Sequence, residues 1–173
     1  MRQSWTPEEL VRHFTIQADE RDFPGHNAPH NQLGKAVLLK FFQYEARFPR
    51  TKNEIPQAVV TFIAHQLYVS PSALTDYQWD GRRIKEHRQA IRSWFGFRQA
   101  SVDDQQAIQD WLLGEVLPNE YRHKHLRQAV YGRLRDQQLE PPTDARVERL
   151  VASAIHQYQQ QFFQQTYARL PSA

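Results

Sequence analysis

Between residues 81 and 98 the chain reads GRRIKEHRQAIRSWFGFR, in which Arg82, Arg83, Lys85, Arg88, Arg92 and Arg98 stand against a single acid, Glu86. Guanidinium and ammonium groups gathered on one surface bind phosphate esters, because each contact releases a condensed counterion and the contributions add. A second set, Arg122, Lys124, Arg127, Arg133 and Arg135, follows in YRHKHLRQAVYGRLRD. The charge is regional rather than global. The whole chain carries +3, yet residues 1–81 hold eight Lys/Arg against nine Asp/Glu, residues 82–135 eleven against six, and residues 136–173 three against four. The competing reading of the same charges is a solvated helix face, or a face that docks on an acidic protein.

Other chemistry finds little support. The chain has no cysteine, which removes thiolate nucleophiles, disulfides and Cys-based zinc sites together and fits a reducing cytoplasm. It has no G-x-S-x-G elbow, H-E-x-x-H helix, P-loop or dinucleotide glycine motif. Two histidine pairs, His26 with His30 and His123 with His125, lack a third ligand nearby in sequence, and the second lies in a basic segment whose field opposes a cation. The acids Asp19, Asp22, Asp103 and Asp110 are scattered. No metal, cofactor or catalytic group is therefore expected. Trp94, Phe95 and Phe97 could stack on bases, but beside Ile84 and Ile91 their spacing is that of a helix core.

The elements that must position these residues read as helices throughout. Six glycines in 173 residues, apolar residues at intervals of three and four, and short Val/Ile/Thr runs predict an all-α fold. TPEEL places Thr6 as N-cap, Pro7 at the first helical position and Glu9 as closure of a capping box, with the helix running to about Phe14. A second helix is expected from about Asn31, with Leu33, Val37, Phe41 and Tyr44 inward and Pro49 ending it. A third starts near Pro56. In the basic segment Ile84, His87, Ile91 and Trp94 share one face, and Lys85, Arg88 and Arg92 another. Ser101 with Asp104 starts a further helix; Leu126, Val130 and Leu134 form the inner stripe of the next; Thr143 caps a long last helix with a Gln-rich, aromatic end. The charge shift near Trp79 divides the chain into groups at 1–78 and 79–173. No run of about 18 apolar residues is present, so no membrane span is expected.

Two helices joined by few residues at AHQLYVSPSAL suggest a helix-turn-helix, with Ala64 at the close approach, Val69 plugging the turn and Leu74 packing back. Ser70 would cap and Pro71 open the second helix, leaving Ser70, Ser72, Ala73 and Thr75 toward a groove. Tyr68 stands where many such turns have glycine, and positive φ is costly for a bulky side chain. An αα-corner of another type therefore stays beside the helix-turn-helix.

Five segments in order, WTPEELVRHFT, HNQLGKAVLLKFFQYEARFP, IPQAVVTFIAHQL, DGRRIKEHRQAIRSWFGF and LEPPTDARVERLVASA, resemble the N-terminal region of Tn-three family transposases, from about Trp5 to Ala154. The resemblance implies a bacterial helical module that recognises the terminal inverted repeats of a replicative transposon as double-stranded DNA. In that family an acidic triad with magnesium cuts the strands from a domain far downstream, so no catalysis is expected here. Set on the residues, it implies phosphate contacts from Arg82, Arg83, Lys85, Arg88 and Arg92. It implies a second surface at Arg122, Lys124 and Arg127, and base approach by Ser70, Ser72 and Thr75. The Gln-rich end of the last helix, read from its residues alone, would fray, pair with a second copy or pack on the remaining transposase domains. The alternative is a helical protein-interaction module derived from such a transposase.

Overall fold

Local start signals decide where the helices begin. In the computed structural model, which describes residues 1–25 and 28–169, the fold is all-α. Helix α1 (Pro7–Phe14) opens on the expected box: Thr6 Oγ1 accepts from the Glu9 N–H at 3.3 Å and the Glu9 carboxylate from the Thr6 N–H at 2.9 Å. Then come α2 (Pro29–Glu45), α3 (Gln57–Gln66), α4 (Gly81–Trp94), α5 (Val102–Trp111), α6 (His123–Asp136) and α7 (Asp144–Arg169). Ser101 and Asp104 repeat the box at α5, with N···O distances of 3.1 and 2.8 Å. The chain forms two units, Met1–Gly96 and Phe97–Ala173. The division thus falls later than the charge shift at Trp79, because Ile84 and Ile91 bury α4 in the first unit.

In the first unit α2 is the central element. Leu33, Val37 and Phe41 are buried as the periodicity predicts, but so are Leu38, Leu39 and Phe42, and a helix apolar nearly all round belongs inside a core. Tyr44, expected inward, is 38% exposed and makes an edge contact with Trp5 at 5.1 Å. Lys40 lies within the apolar surface and is 1% exposed. Its ammonium donates to Glu20 Oε2 at 2.8 Å and to Gln43 Oε1 at 2.6 Å, and Glu20 also accepts the Gln17 N–H at 2.8 Å. A buried ion pair persists only with such partners, and here it fixes the 3₁₀ turn Ala18–Glu20 onto α2.

Tyr77 ties three segments together. Its ring lies against Gly34 of α2 so closely that a Cβ there would stand 2.2 Å from Tyr77 Cδ2. Its hydroxyl bonds His87 Nδ1 of α4 at 2.8 Å, and the two rings stack with centroids 5.8 Å apart. Burial, with Lys35 and Arg83 adding like charge, lowers the His87 pKa to about 4, and burial pushes the Tyr77 phenol up to about 12. Both groups are neutral at pH 7.

Helix α3 ends in a Schellman turn, in which the Val69 N–H bonds the Ala64 carbonyl at 3.1 Å and the Tyr68 N–H bonds that of His65 at 3.3 Å. The turn forces Tyr68 to φ 57°, and its side chain is 97% exposed.

In the second unit α5 passes into a π-helical stretch, Leu112–Val116, closed by the Leu117 N–H on the Leu112 carbonyl at 2.8 Å. Ile108, Leu112 and Leu117 then meet Leu126, Val130 and Leu134 of α6 and Val147 and Val151 of α7. Two short strands, β1 (Arg98–Gln99) and β2 (Leu139–Glu140), pair in parallel.

Three stability measurements test this packing. Lys40→Met leaves the Glu20 carboxylate buried without its cation and is expected to cost about 3–5 kcal/mol in urea unfolding. His87 binds a proton more readily unfolded, near pH 6.5, than folded, near 4, so stability falls as pH drops through that window, by up to about 3 kcal/mol. His87→Gln should flatten that fall, and an unchanged pH profile would refute the assignment. Tyr68→Gly should raise stability by about 1 kcal/mol, since glycine relieves the left-handed backbone and the exposed ring has little packing to lose.

Candidate nucleic-acid interface

Helix α4 is built to present charge. Gly81 takes φ 78° and turns the chain into the helix, after which Ile84, His87 and Ile91 face the core. The opposite face carries Arg82, Lys85, Glu86, Gln89 and Ser93, all exposed, with Arg83 exposed at its flank. Arg82 Nε sits 2.6 Å from Glu86 Oε1, and this bond holds the Glu86 carboxyl below its ordinary pKa. Arg83 and Lys85 have no ion pair among the described residues.

Two members of the expected basic stripe do something different. Arg88 is half-buried, donates Nη2–H to the Pro49 carbonyl at 3.0 Å and lies over the Phe48 ring at 5.3 Å. Arg92 lies over the same ring at 5.9 Å. Both therefore brace α4 against the segment that follows α2. Trp94, expected in the core, is 44% exposed and packs on Phe23 at 5.0 Å.

The segment after α3 departs from a simple helix-turn-helix. Pro71–Asp76 is a six-residue 3₁₀-helix, and the next α-helix is α4. Pro71 opens either kind of helix, but Leu74 and also Ala73, expected toward a groove, pack on the core while Tyr77 is held at Gly34, and the tighter winding reaches both. The Ser70 and Ser72 hydroxyls bond each other at 2.7 Å, and Ser70 Oγ caps the Ser72 N–H at 3.4 Å. Ser72 and Thr75 line a shallow concavity with Lys52, Asn53 and Gln57.

In the second basic set Arg122 and Arg127 are ion-paired, whereas Lys124, Arg133 and Arg135 meet no acid among the described residues. Arg122 Nη2 is 2.8 Å from Glu120 Oε2, which also takes His125 Nδ1 at 2.7 Å. Those bonds hold the Glu120 carboxyl far below the usual range. Arg127 Nη1 meets Glu148 Oε1 at 2.8 Å, and His123 meets the other oxygen of that carboxylate at 3.1 Å. Arg133 lies over the Trp111 ring at 5.2 Å. Arg98 is held bidentately by Asp104, at 2.5 and 2.7 Å. Lys124 is left exposed. Of the histidine pairs, His26 lies outside the described residues. Charge counting passes over two residues of the α4 outer face, Gln89 and Ser93; the helical spacing 82, 86, 89, 93, opposite Ile84 and Ile91, identifies them.

Among the described residues no helix is long and apolar enough to cross a membrane. Over 102 residues the chain is 26% identical to the transposase for transposon Tn501 of Pseudomonas aeruginosa, a stretch that makes up 58% of this chain and 10% of that transposase. The likeness marks a transposase-related region that corresponds to a small fraction of the larger protein's length. A family model described as a domain of unknown function, DUF4158, matches residues 1–154, and with both helical units falling largely inside that span the chain belongs to the DUF4158 family.

Proposed function

We propose that the chain is a double-stranded DNA-binding module without strand-cutting chemistry of its own, and that it recognises the terminal inverted repeats of a transposon. The observation that carries this reading is the division of α4: Ile84, His87 and Ile91 are fixed in the core while Arg82, Arg83 and Lys85 are held in solvent. A helix anchored in this way keeps its backbone in place when it meets a phosphate backbone, so that binding has to order only the side chains. The transposase-related stretch supports DNA at transposon ends as the partner.

Arg83 and Lys85 are the first phosphate contacts, and Arg82 joins them when it exchanges Glu86 for phosphate. Gln89 and Ser93, farther along the outer face, have the donor and acceptor groups that read base edges in a major groove. Ser72 and Thr75, beside Lys52, give a supporting contact. Arg88 and Arg92 act mainly by holding α4 in position. A protein-docking reading is favoured by one feature, the exposed Phe162 and Phe163 in the Gln-rich part of α7.

The test is a fluorescence-anisotropy titration of the chain against the terminal repeat of its own transposon and a scrambled duplex, at several salt concentrations. The wild type should bind the repeat more tightly. Arg83→Ala with Lys85→Ala should weaken binding to both duplexes, lower the slope of log K against log salt by up to about 2, and leave the melting temperature unchanged. Equal, weak binding of both duplexes by wild type, or an unchanged slope in the double variant, would refute the reading.

A further inference from the structure

Helix α6 buries Leu126, Val130 and Leu134 and turns the opposite stripe outward: Lys124, Gln128, Gly132 and Arg135, at i, i+4, i+8 and i+11, all exposed. Gly132 is the anomaly in that stripe. Glycine in the middle of a helix is unfavourable relative to alanine, and such a residue usually has a packing reason. Gly34 has one, since the Tyr77 ring occupies the place of its missing side chain. Gly132 has none among the described residues: it is helical, and a Cβ built on it meets nothing within 4 Å. The bare backbone at this point is exposed.

We infer that the α6 stripe is a second DNA contact, in which Gly132 lets the helix backbone approach the duplex more closely than any side chain would allow. This rests on the DNA-binding reading above and names a surface in the second unit. Charge complementarity sets the occupant. Lys124 and Arg135 lie near the two ends of the stripe, without an ion pair among the described residues, while Arg122 and Arg127 are spent on Glu120 and Glu148. Gln128 stands one turn from Gly132, with an amide able to donate and accept at a base edge. The arrangement is a pair of phosphate-seeking cations on either side of a polar reader and a gap of one side chain. A duplex fits this surface, because a neighbouring helix would need apolar side chains around the glycine and the stripe offers none.

The inference makes an unusual demand, that a substitution which stabilises the helix should harm binding. In the full chain, Gly132→Ala is expected to keep or raise the melting temperature and to weaken binding of a fluorescein-labelled duplex of mixed sequence several-fold. Gly132→Leu should weaken it further, again with the fold intact by circular dichroism. Lys124→Ala with Arg135→Ala should lower the salt slope. Wild-type affinity in both glycine variants would overturn the inference; if Arg83→Ala with Lys85→Ala still lost binding, the general DNA-binding reading would survive alone. Absence of any duplex binding by wild type would overturn both. A change in sedimentation mass with DNA affinity unaltered would instead make the stripe a contact between copies of the chain and also overturn the inference.

Discussion

The first unit depends on the contact between the Tyr77 ring and the bare backbone of Gly34. An aromatic ring brought to the surface of a helix where no Cβ intervenes sits about one side-chain layer deeper than usual, and it carries its own segment with it. From that depth the hydroxyl reaches His87, so the position of α4 is set by a hydrogen bond to a hydroxyl that is itself wedged into α2. The His87 pKa follows from the same geometry, because the imidazole that meets Tyr77 is shut off from water and flanked by Lys35 and Arg83. Orientation of the basic helix, neutrality of its buried histidine and the tight winding of Pro71–Asp76 are consequences of one close approach.

Charge on this protein divides into cations that build and cations that wait. Lys40 completes a buried pair, Arg88 and Arg92 lie on Phe48, Arg98 closes on Asp104, and Arg127 closes on Glu148. These interactions fix segments, and freeing any of the groups for a ligand would cost the contact it already makes. Arg83, Lys85, Lys124 and Arg135 have no such prior bond among the described residues. The distinction matters because net charge counts both kinds alike, whereas only the second kind is available to a polyanion at no structural cost.

Much of the fold was legible from local patterns. Thr6 with Glu9 and Ser101 with Asp104 announce their helices because a capping box closes within four residues and needs nothing distant. Leu126, Val130 and Leu134 could be assigned inward because one helix face is a one-dimensional property of sequence. What sequence reading missed depends on contacts between distant segments. Pro71 and Ser70 begin an α-helix and a 3₁₀-helix equally well, and the choice is made by Tyr77 at Gly34. The employment of Arg88 and Arg92 follows from where Phe48 lies. Tyr68 takes the left-handed backbone that a bulky side chain disfavours, since the Schellman bonds at Ala64 and His65 and the seating of Val69 outweigh one strained residue. In the basic helix Gln89 is exposed on the outer face, and an uncharged side chain leaves no mark in a charge count.

The π-helical stretch Leu112–Val116 has a consequence for how the second unit can change. In regular α geometry Leu117 would point about 140° away from Leu112, and only one of them could reach the core. The widened turn returns Leu117 to the buried side, so the connection to α6 leaves the helix at a heading set by backbone hydrogen bonding. The heading of α6 is thereby uncoupled from the composition of its own outer surface. Descendants of this sequence can exchange the outward residues of α6 while the helix stays aimed as it is.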